Sequence, residues 1–237
     1  ADVYGWINTI AEASQNNPIQ AELLETVERF RIPFWPLEAF AQSMIYDIYH
    51  DGFPTLQGFI DYAGGASVAP ASIFVHLCGL TRKDGKYLPP VFDVKRVATP
   101  CAIFSYLVHI IRDFQKDHLN NLNYFPDDLI AKYGMNRQQL LFMAKGGQIT
   151  DGFRSLIRDL YEVADFYRLK TYEMIQEIRP FVEPRGHLSL EIIFALYLMV
   201  FERIDIQYGT FSTKELNPTW QEIKERVGQV IERFEAE

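Results

Sequence analysis

The residues best placed to do chemistry lie in His109-Ile-Ile-Arg112-Asp113-Phe-Gln-Lys-Asp117, followed by Asn121-Leu-Asn-Tyr124-Phe-Pro126. His109, Asp113 and Asp117 are spaced by four. On a helix that spacing stacks them on one face, about 6 Å apart per step. Two carboxylates one turn apart can hold a hard cation such as Mg²⁺, which takes oxygen ligands and substrate phosphates. Arg112 beside them can pair with a phosphate through two parallel hydrogen bonds. The same pattern also has a plain explanation: a solvated helix face whose aspartates are neutralised locally by Arg112 or Lys116. The run Ala102-Ile-Phe-Ser-Tyr-Leu-Val just upstream is almost wholly apolar, so the charged cluster sits where a buried helix becomes polar.

Other segments carry weaker signals. Asp61-Tyr62-Ala-Gly64-Gly65-Ala-Ser-Val-Ala-Pro70-Ala-Ser is rich in small residues. They would let a helix kink and its backbone approach an apolar ligand, or let two helices pack tightly. Gly64-Gly65 is not a phosphate loop, since no strand precedes it and no Gly-Lys-Ser/Thr follows. His76 and His187 read as satisfied interior or loop histidines. Glu202 and Asp205 read as the exposed end of an apolar helix, and Trp220 to Phe234 as an amphipathic helix packed on the body.

The elements that must position these residues are helical. Periodicity predicts helices near 3–14, 18–31, 36–50, 55–66, 67–79, 92–119, 127–133, 136–144, 150–179, 188–207 and 217–235. The clearest runs from Thr150-Asp151 to Pro180, with apolar residues from Phe153 to Ile178 at spacings of three and four. No β-alternation stands out, and residues 81–88 read as a polar loop. The breaks are short, so one all-α domain over residues 1–237 is expected, a helical bundle around a central apolar cavity.

Composition fits that expectation. Hydrophobic residues make up 48%, enough for a sizeable core. A net charge of −8 argues against nucleic acid as the main partner, because phosphate backbones need a basic surface. Cys78 and Cys101 read as small interior residues of a reducing compartment. The longest apolar stretch, Leu190 to Phe201, is too short to span a bilayer. A cytoplasmic protein is expected, with peripheral membrane contact left open.

The ordered motifs resemble the squalene and phytoene synthase family, head-to-head prenyl diphosphate synthases. Arg112-Asp113-Phe-Gln-Lys-Asp117 with Tyr124-Phe-Pro126 and Leu129 is similar to that family's second aspartate-rich motif. Met44-Ile-Tyr-Asp47, Phe53-Pro-Thr55, Leu56 and Tyr62 are similar, in order, to an upstream succession of the family. The likeness covers roughly residues 20 to 205, with Tyr197 on a late apolar helix.

The resemblance implies an all-α isoprenoid synthase fold and a prenyltransferase that ionises prenyl diphosphates of the farnesyl or geranylgeranyl class with Mg²⁺. It implies Asp113 and Asp117 as metal ligands, with Arg112, Tyr62 and Tyr197 as catalytic residues: Arg112 facing diphosphate, Tyr62 in the pocket and Tyr197 at its far wall. His109, Tyr106, Tyr124 and Asp47 would contact substrate. His109 stands where the family carries Asn, Tyr106 where it carries Gln, and Asn121-Leu122 where it carries Gly-Arg. The small-residue motif is Ser67-Val-Ala-Pro-Ala71, and Gly209 to Lys214 lacks a paired-Arg pattern. Residues 1–40 hold no Asp-x-x-x-Asp pair, so the helices bearing the first aspartate motif are expected to precede Ala1. The alternative expectation is a divergent member without condensation activity, acting as a prenyl diphosphatase or as a lipid- or protein-binding pseudoenzyme. The sequence leaves oligomeric state open.

Overall fold

The structure is a computed structural model that describes Gly5, Thr9 and residues 17–49 and 51–236. The helix expected near 3–14 lies outside these residues, apart from Gly5 and Thr9. Among the described residues, twelve helices of α type follow from residue 17. They are α1 Pro18–Phe30, α2 Trp35–Tyr49, α3 Leu56–Ala63, α4 Ala69–Cys78, α5 Val94–Arg112 and α6 Phe114–Leu119. After them come α7 Asp127–Lys132, α8 Arg137–Ala144, α9 Asp151–Ile178, α10 Pro184–Phe201, α11 Thr213–Leu216 and α12 Trp220–Ala236.

Helix α5 organises the bundle. Asp93 caps its start by accepting hydrogen bonds from the Lys95 and Arg96 N–H groups at 2.9 and 3.1 Å. The long helix α9 packs along one side of α5, and α4, α3 and α10 cover others. Phe104, Leu107 and Ile111 of α5 and Phe153, Leu156, Ile157 and Leu160 of α9 are completely buried, as their 3.6-residue periodicity requires. α9 starts as expected, with the Thr150 hydroxyl accepting from the Phe153 N–H at 3.2 Å.

Four local departures from the expected elements have physical causes. The helix expected over 92–119 breaks at Asp113, whose φ of −91° and ψ of 6° leave the helical well. The break is slight. Asp113 N–H still donates to the His109 carbonyl and Asp117 N–H to the Asp113 carbonyl, both at 2.8 Å, so the four-residue register survives.

The helices expected over 55–66 and 67–79 are joined by a π-helical turn, Gly64–Val68. Close packing forces it. A Cβ at Gly65 would fall on Ser43 Oγ and on the Ala39 carbonyl oxygen, both in α2. Gly65→Ala should therefore cost about 1–3 kcal/mol or more, read as a drop in the denaturation midpoint.

Residues 81–88 are not a plain loop. Thr81–Lys83 (β1) and Lys86–Leu88 (β2) form an antiparallel hairpin with Arg82 opposite Tyr87. Asp84 and Gly85 supply the positive φ values, 49° and 79°, that a tight hairpin turn needs. Strands of three residues are too short to show alternation.

The late apolar helix starts at Pro184 and ends at Phe201, earlier at both ends than the expected 188–207. Helix α12 packs on it as expected. Arg203–Glu222 and Arg226–Glu202 ion pairs at 2.6 Å fasten the two. Helices α5 and α10 have the length and hydropathy of a membrane span, which the apolar stretch alone did not show. In this fold they pack against one another and against α9 and α12.

Candidate active site

One face of α5 runs from an apolar hollow to a charged cluster. Ala98, Cys101, Ala102 and Ser105 line a cavity of about 280 Å³ together with Ala66, Ser67, Pro70 and Ala71 of the π turn and α4. Of the two expected uses of the small residues, tight helix packing is realised at Gly65, which lets α2 approach, while its neighbours line the cavity. Ser67 Oγ donates to the Ala102 carbonyl at 3.0 Å and holds the two walls together. Burial pushes the Cys101 thiol up to about 12, so it is a neutral wall group at physiological pH.

One turn further along the same face comes His109, then Arg112 and Asp113, then Asp117. Arg112 grips Asp113 through two parallel hydrogen bonds, Nε to Oδ1 at 2.8 Å and Nη2 to Oδ2 at 2.9 Å. His109 Nε2 stands 3.6 Å from Asp113 Oδ2. Burial lowers the His109 pKa, and the Arg112 charge lowers it further, so the ring is neutral near pH 7. Asp117 differs from Asp113. Burial and the neighbouring Asp113 charge push its carboxyl up to about 6, only partly offset by Lys116 and Arg112. Asp117 therefore carries its negative charge less readily than an exposed carboxylate.

A tier of phenols stands beside the pair. Tyr62 Oη donates to Asp47, 2.7 and 2.8 Å from its two carboxylate oxygens. The Tyr62 and Tyr106 rings lie 6.1 Å apart, and those of Tyr106 and Tyr124 6.4 Å apart. Burial raises the pKa of both Tyr106 and Tyr124, and the charges of Asp47 and Asp117 add to the rise. Both carboxylates therefore lie within electrostatic reach of the two phenols. On the other flank the His109 and Tyr197 rings meet edge to face at 6.2 Å, and Tyr197 lines the cavity.

All nine residues singled out in the sequence thus fall into one contiguous cluster, with two corrections of position. Tyr62 is absent from the cavity lining and turns to Asp47 instead. Arg112, expected to face diphosphate, is engaged by Asp113, so a phosphate group must compete for it.

Spacing missed the joint between two motifs. Phe53 and Pro126 form a parallel bridge, the Asp127 N–H donates to the Phe53 carbonyl at 2.8 Å, and Phe53 stacks on Tyr124 at 6.2 Å. Ser105, Cys101 and Ala98 were legible, because they lie four, eight and eleven residues before His109 on the same helical face.

Among the described residues no group of three or more His, Cys, Asp or Glu side chains converges as a metal site. The donor set still suits Mg²⁺, which is commonly bound by one or two carboxylates plus substrate phosphates. The raised Asp117 carboxyl is the observation that favours a cation there. Its folded pKa exceeds the usual carboxylate value, so folding stability falls as pH rises through the window up to about 6. A bound cation reverses that loss, and it needs the deprotonated carboxyl. Added Mg²⁺ should therefore raise the thermal midpoint at about pH 7.5 and have little effect at about pH 5. Equal shifts at both pH values would remove Asp117 from the site.

A sequence model of the squalene/phytoene synthase family matches residues 4–220. The chain belongs to the squalene/phytoene synthase family, a family of prenyltransferase type. Its fold is similar to that of squalene synthase HpnC from Alicyclobacillus acidocaldarius, with a TM-score of 0.65 and 14% identity over 79% of this chain. The chain spans 65% of that protein's length. It is also similar to a dehydrosqualene synthase solved in complex with ligand, with a TM-score of 0.72 and 13% identity, covering 99% of this chain and 78% of the other. At these identities the likeness establishes the all-α isoprenoid synthase fold. No curated protein sequence matches the chain.

Proposed function

We propose that this protein, as a single domain, binds a prenyl diphosphate of the farnesyl or geranylgeranyl class and ionises it with Mg²⁺ in isoprenoid biosynthesis. The observation that carries the proposal is the single face of α5, apolar from Ala98 to Ser105 and polar from His109 to Asp113. An amphiphile with a hydrocarbon chain and an anionic head matches that division.

Asp113 and Asp117 would hold Mg²⁺, which when bound neutralises charge on the leaving diphosphate. Arg112 offers a second cation once it is released from Asp113. The bond from the prenyl C1 to oxygen breaks with its electron pair going to the diphosphate. The allylic cation left behind faces Tyr197 and the apolar cavity wall, which exclude water and present ring electrons. Tyr62, Tyr106 and Tyr124 hold the tier beside Asp47 and Asp117, and His109 stays neutral next to Asp113.

The fate of the cation separates two readings. Capture by a second prenyl chain is condensation, and capture by water is hydrolysis. The second reading, a diphosphatase or a non-catalytic binder, is favoured by Leu122, 46% exposed where the family carries Arg, and by the Arg112–Asp113 pairing. Incubation with Mg²⁺ and farnesyl or geranylgeranyl diphosphate tests the proposal. Pyrophosphate release with a coupled C30 or C40 product supports condensation, and release with free prenyl alcohol supports hydrolysis. Intact substrate would leave only a binding role. A cytoplasmic location with peripheral membrane contact belongs to the same proposal.

A further inference from the structure

One end of the bundle differs in charge from the rest of the chain. The last turns of α4 and α9 and the first turns of α5 and α10 meet there, and Val75, Ile178, Val97 and Leu190 bring them to the inner cavity. The β1–β2 hairpin shares an outer groove of about 810 Å³ with this end, whose lining includes Leu77, Arg82, Tyr87 and Arg185. Close packing ties the pieces together. A Cβ at Gly79 would strike the Pro90 and Phe92 side chains, and one at Gly186 the Cys78 carbonyl oxygen and Val182. Residues 77–96 and 177–189 hold seven Lys or Arg against four Asp or Glu, a net charge of +3 in a chain of −8. Arg82, Lys83, Lys86 and Arg185 are exposed. So are Val91 at 80%, Phe181 at 51%, and Leu77 and Leu88 at 42% each.

We propose that this end docks on an anionic lipid surface, with the hairpin cations against the head groups and Leu88, Val91 and Phe181 entering the interface. The inference rests on the peripheral membrane contact of the functional reading, names the face that makes it, and needs no turnover. Apolar side chains set among Lys and Arg suit a membrane boundary, because the chains enter it while the cations stay at its charged surface. Leu88, Val91 and Phe181 sit on the hairpin and on connections, outside the groove lining. Protein partners usually grip anchors that fill pockets, whereas projecting side chains of this kind suit a fluid layer. The charge contrast points the same way, since an anionic surface attracts this end and repels the rest of an acidic chain. Asp113 lies at the opposite end of the 19-residue α5, about 27 Å along its axis, so docking leaves the aspartates clear of the lipid.

Flotation with lipid vesicles tests the docking. Vesicles containing phosphatidylglycerol should bind the protein about tenfold or more tightly than phosphatidylcholine alone, and added salt should weaken that binding. Arg82→Gln, Lys83→Gln and Lys86→Gln together should weaken it about a hundredfold, at about fivefold for each cation. Lys145→Gln, Arg158→Gln and Lys224→Gln remove the same charge from exposed positions elsewhere, and should change binding by about twofold at most. Val91→Ser should cost up to about tenfold. A wild type that ignores anionic vesicles overturns the proposal, as does a control set as damaging as the hairpin set. So does binding that soluble polyglutamate abolishes and Val91→Ser leaves unchanged, which would mark an acidic protein as the partner. Prenyl diphosphate consumption is read separately, without vesicles. Should the diphosphates survive while hairpin-dependent docking holds, the enzymatic reading fails and the docking face stands. If they are consumed and no vesicle binds, the docking face alone fails.

Discussion

Asp117→Asn should lower prenyl diphosphate consumption by about a hundredfold or more, while leaving the protein folded with an equal or higher thermal midpoint. The two halves of this result have one origin. Asp117 is a half-buried carboxylate whose proton affinity is raised by burial and by Asp113, up to about 6. Above that pH the charge opposes folding, so the neutral amide removes repulsion without changing shape. The same charge is what a divalent cation needs. Removing one group that stabilises a developing oxyanion typically costs about 10²–10³ in turnover. Pyrophosphate release and a melting curve on the same preparation check both halves. Added Mg²⁺ should also lose its stabilising effect in the variant. A variant that turns over normally would reduce Asp117 to a solvated helix residue.

Phe53→Ala should cost about 3–5 kcal/mol, a large share of the roughly 5–15 kcal/mol that holds a domain together. Phe53 is completely buried, and its ring meets Tyr62 at 4.9 Å, Phe59 at 5.4 Å, Tyr46 at 5.7 Å and Tyr124 at 6.2 Å. Its backbone also holds the Pro126–Asp127 segment. The loss should therefore reach the site, because Tyr62 and Tyr124 both lean on the missing ring. Phe104→Ala is the comparison. Phe104 is equally buried but contacts Phe194 and Phe201 on another side of α5. Urea titration should show similar losses for the two. Substrate affinity, measured well below either midpoint, should fall in Phe53→Ala and hold in Phe104→Ala.

Much of the bundle was legible because helices announce themselves locally. The apolar spacing from Phe153 to Ile178 and the Thr150 cap define α9 within a residue at each end. The hairpin was hidden because three-residue strands carry no period, although its Asp84-Gly85 turn was in plain view. Within the site, the His109–Asp113–Asp117 face was readable from spacing, and the slight break at Asp113 did not disturb it. Asp47 and Tyr62 are fifteen residues apart, and no local rule pairs them. Only the resemblance placed both near the aspartates. That likeness put Tyr62 in the cavity, whereas the hydrogen bond to Asp47 turns it away. Cavity size depends on how α4, α5, α9 and α10 meet, and such contacts join residues up to about 130 positions apart in the chain.

The turn at Gly64–Val68 makes the chain intolerant of a change in length by one. A π turn holds one residue more than the α-helix around it, shown by the Ala69 N–H bonded back to the Gly64 carbonyl. Upstream of it Tyr62 points to Asp47, and downstream Pro70 and Ala71 line the cavity. Deleting a single residue such as Ala66 would let the segment relax into a continuous α-helix. One residue is about 100° of helical rotation. The two halves would then be out of phase, so that either the phenol or the cavity wall faces the wrong neighbour. The extra residue works as a phase shifter between two walls of the site, and its loss should disarrange the site while leaving helix content unchanged.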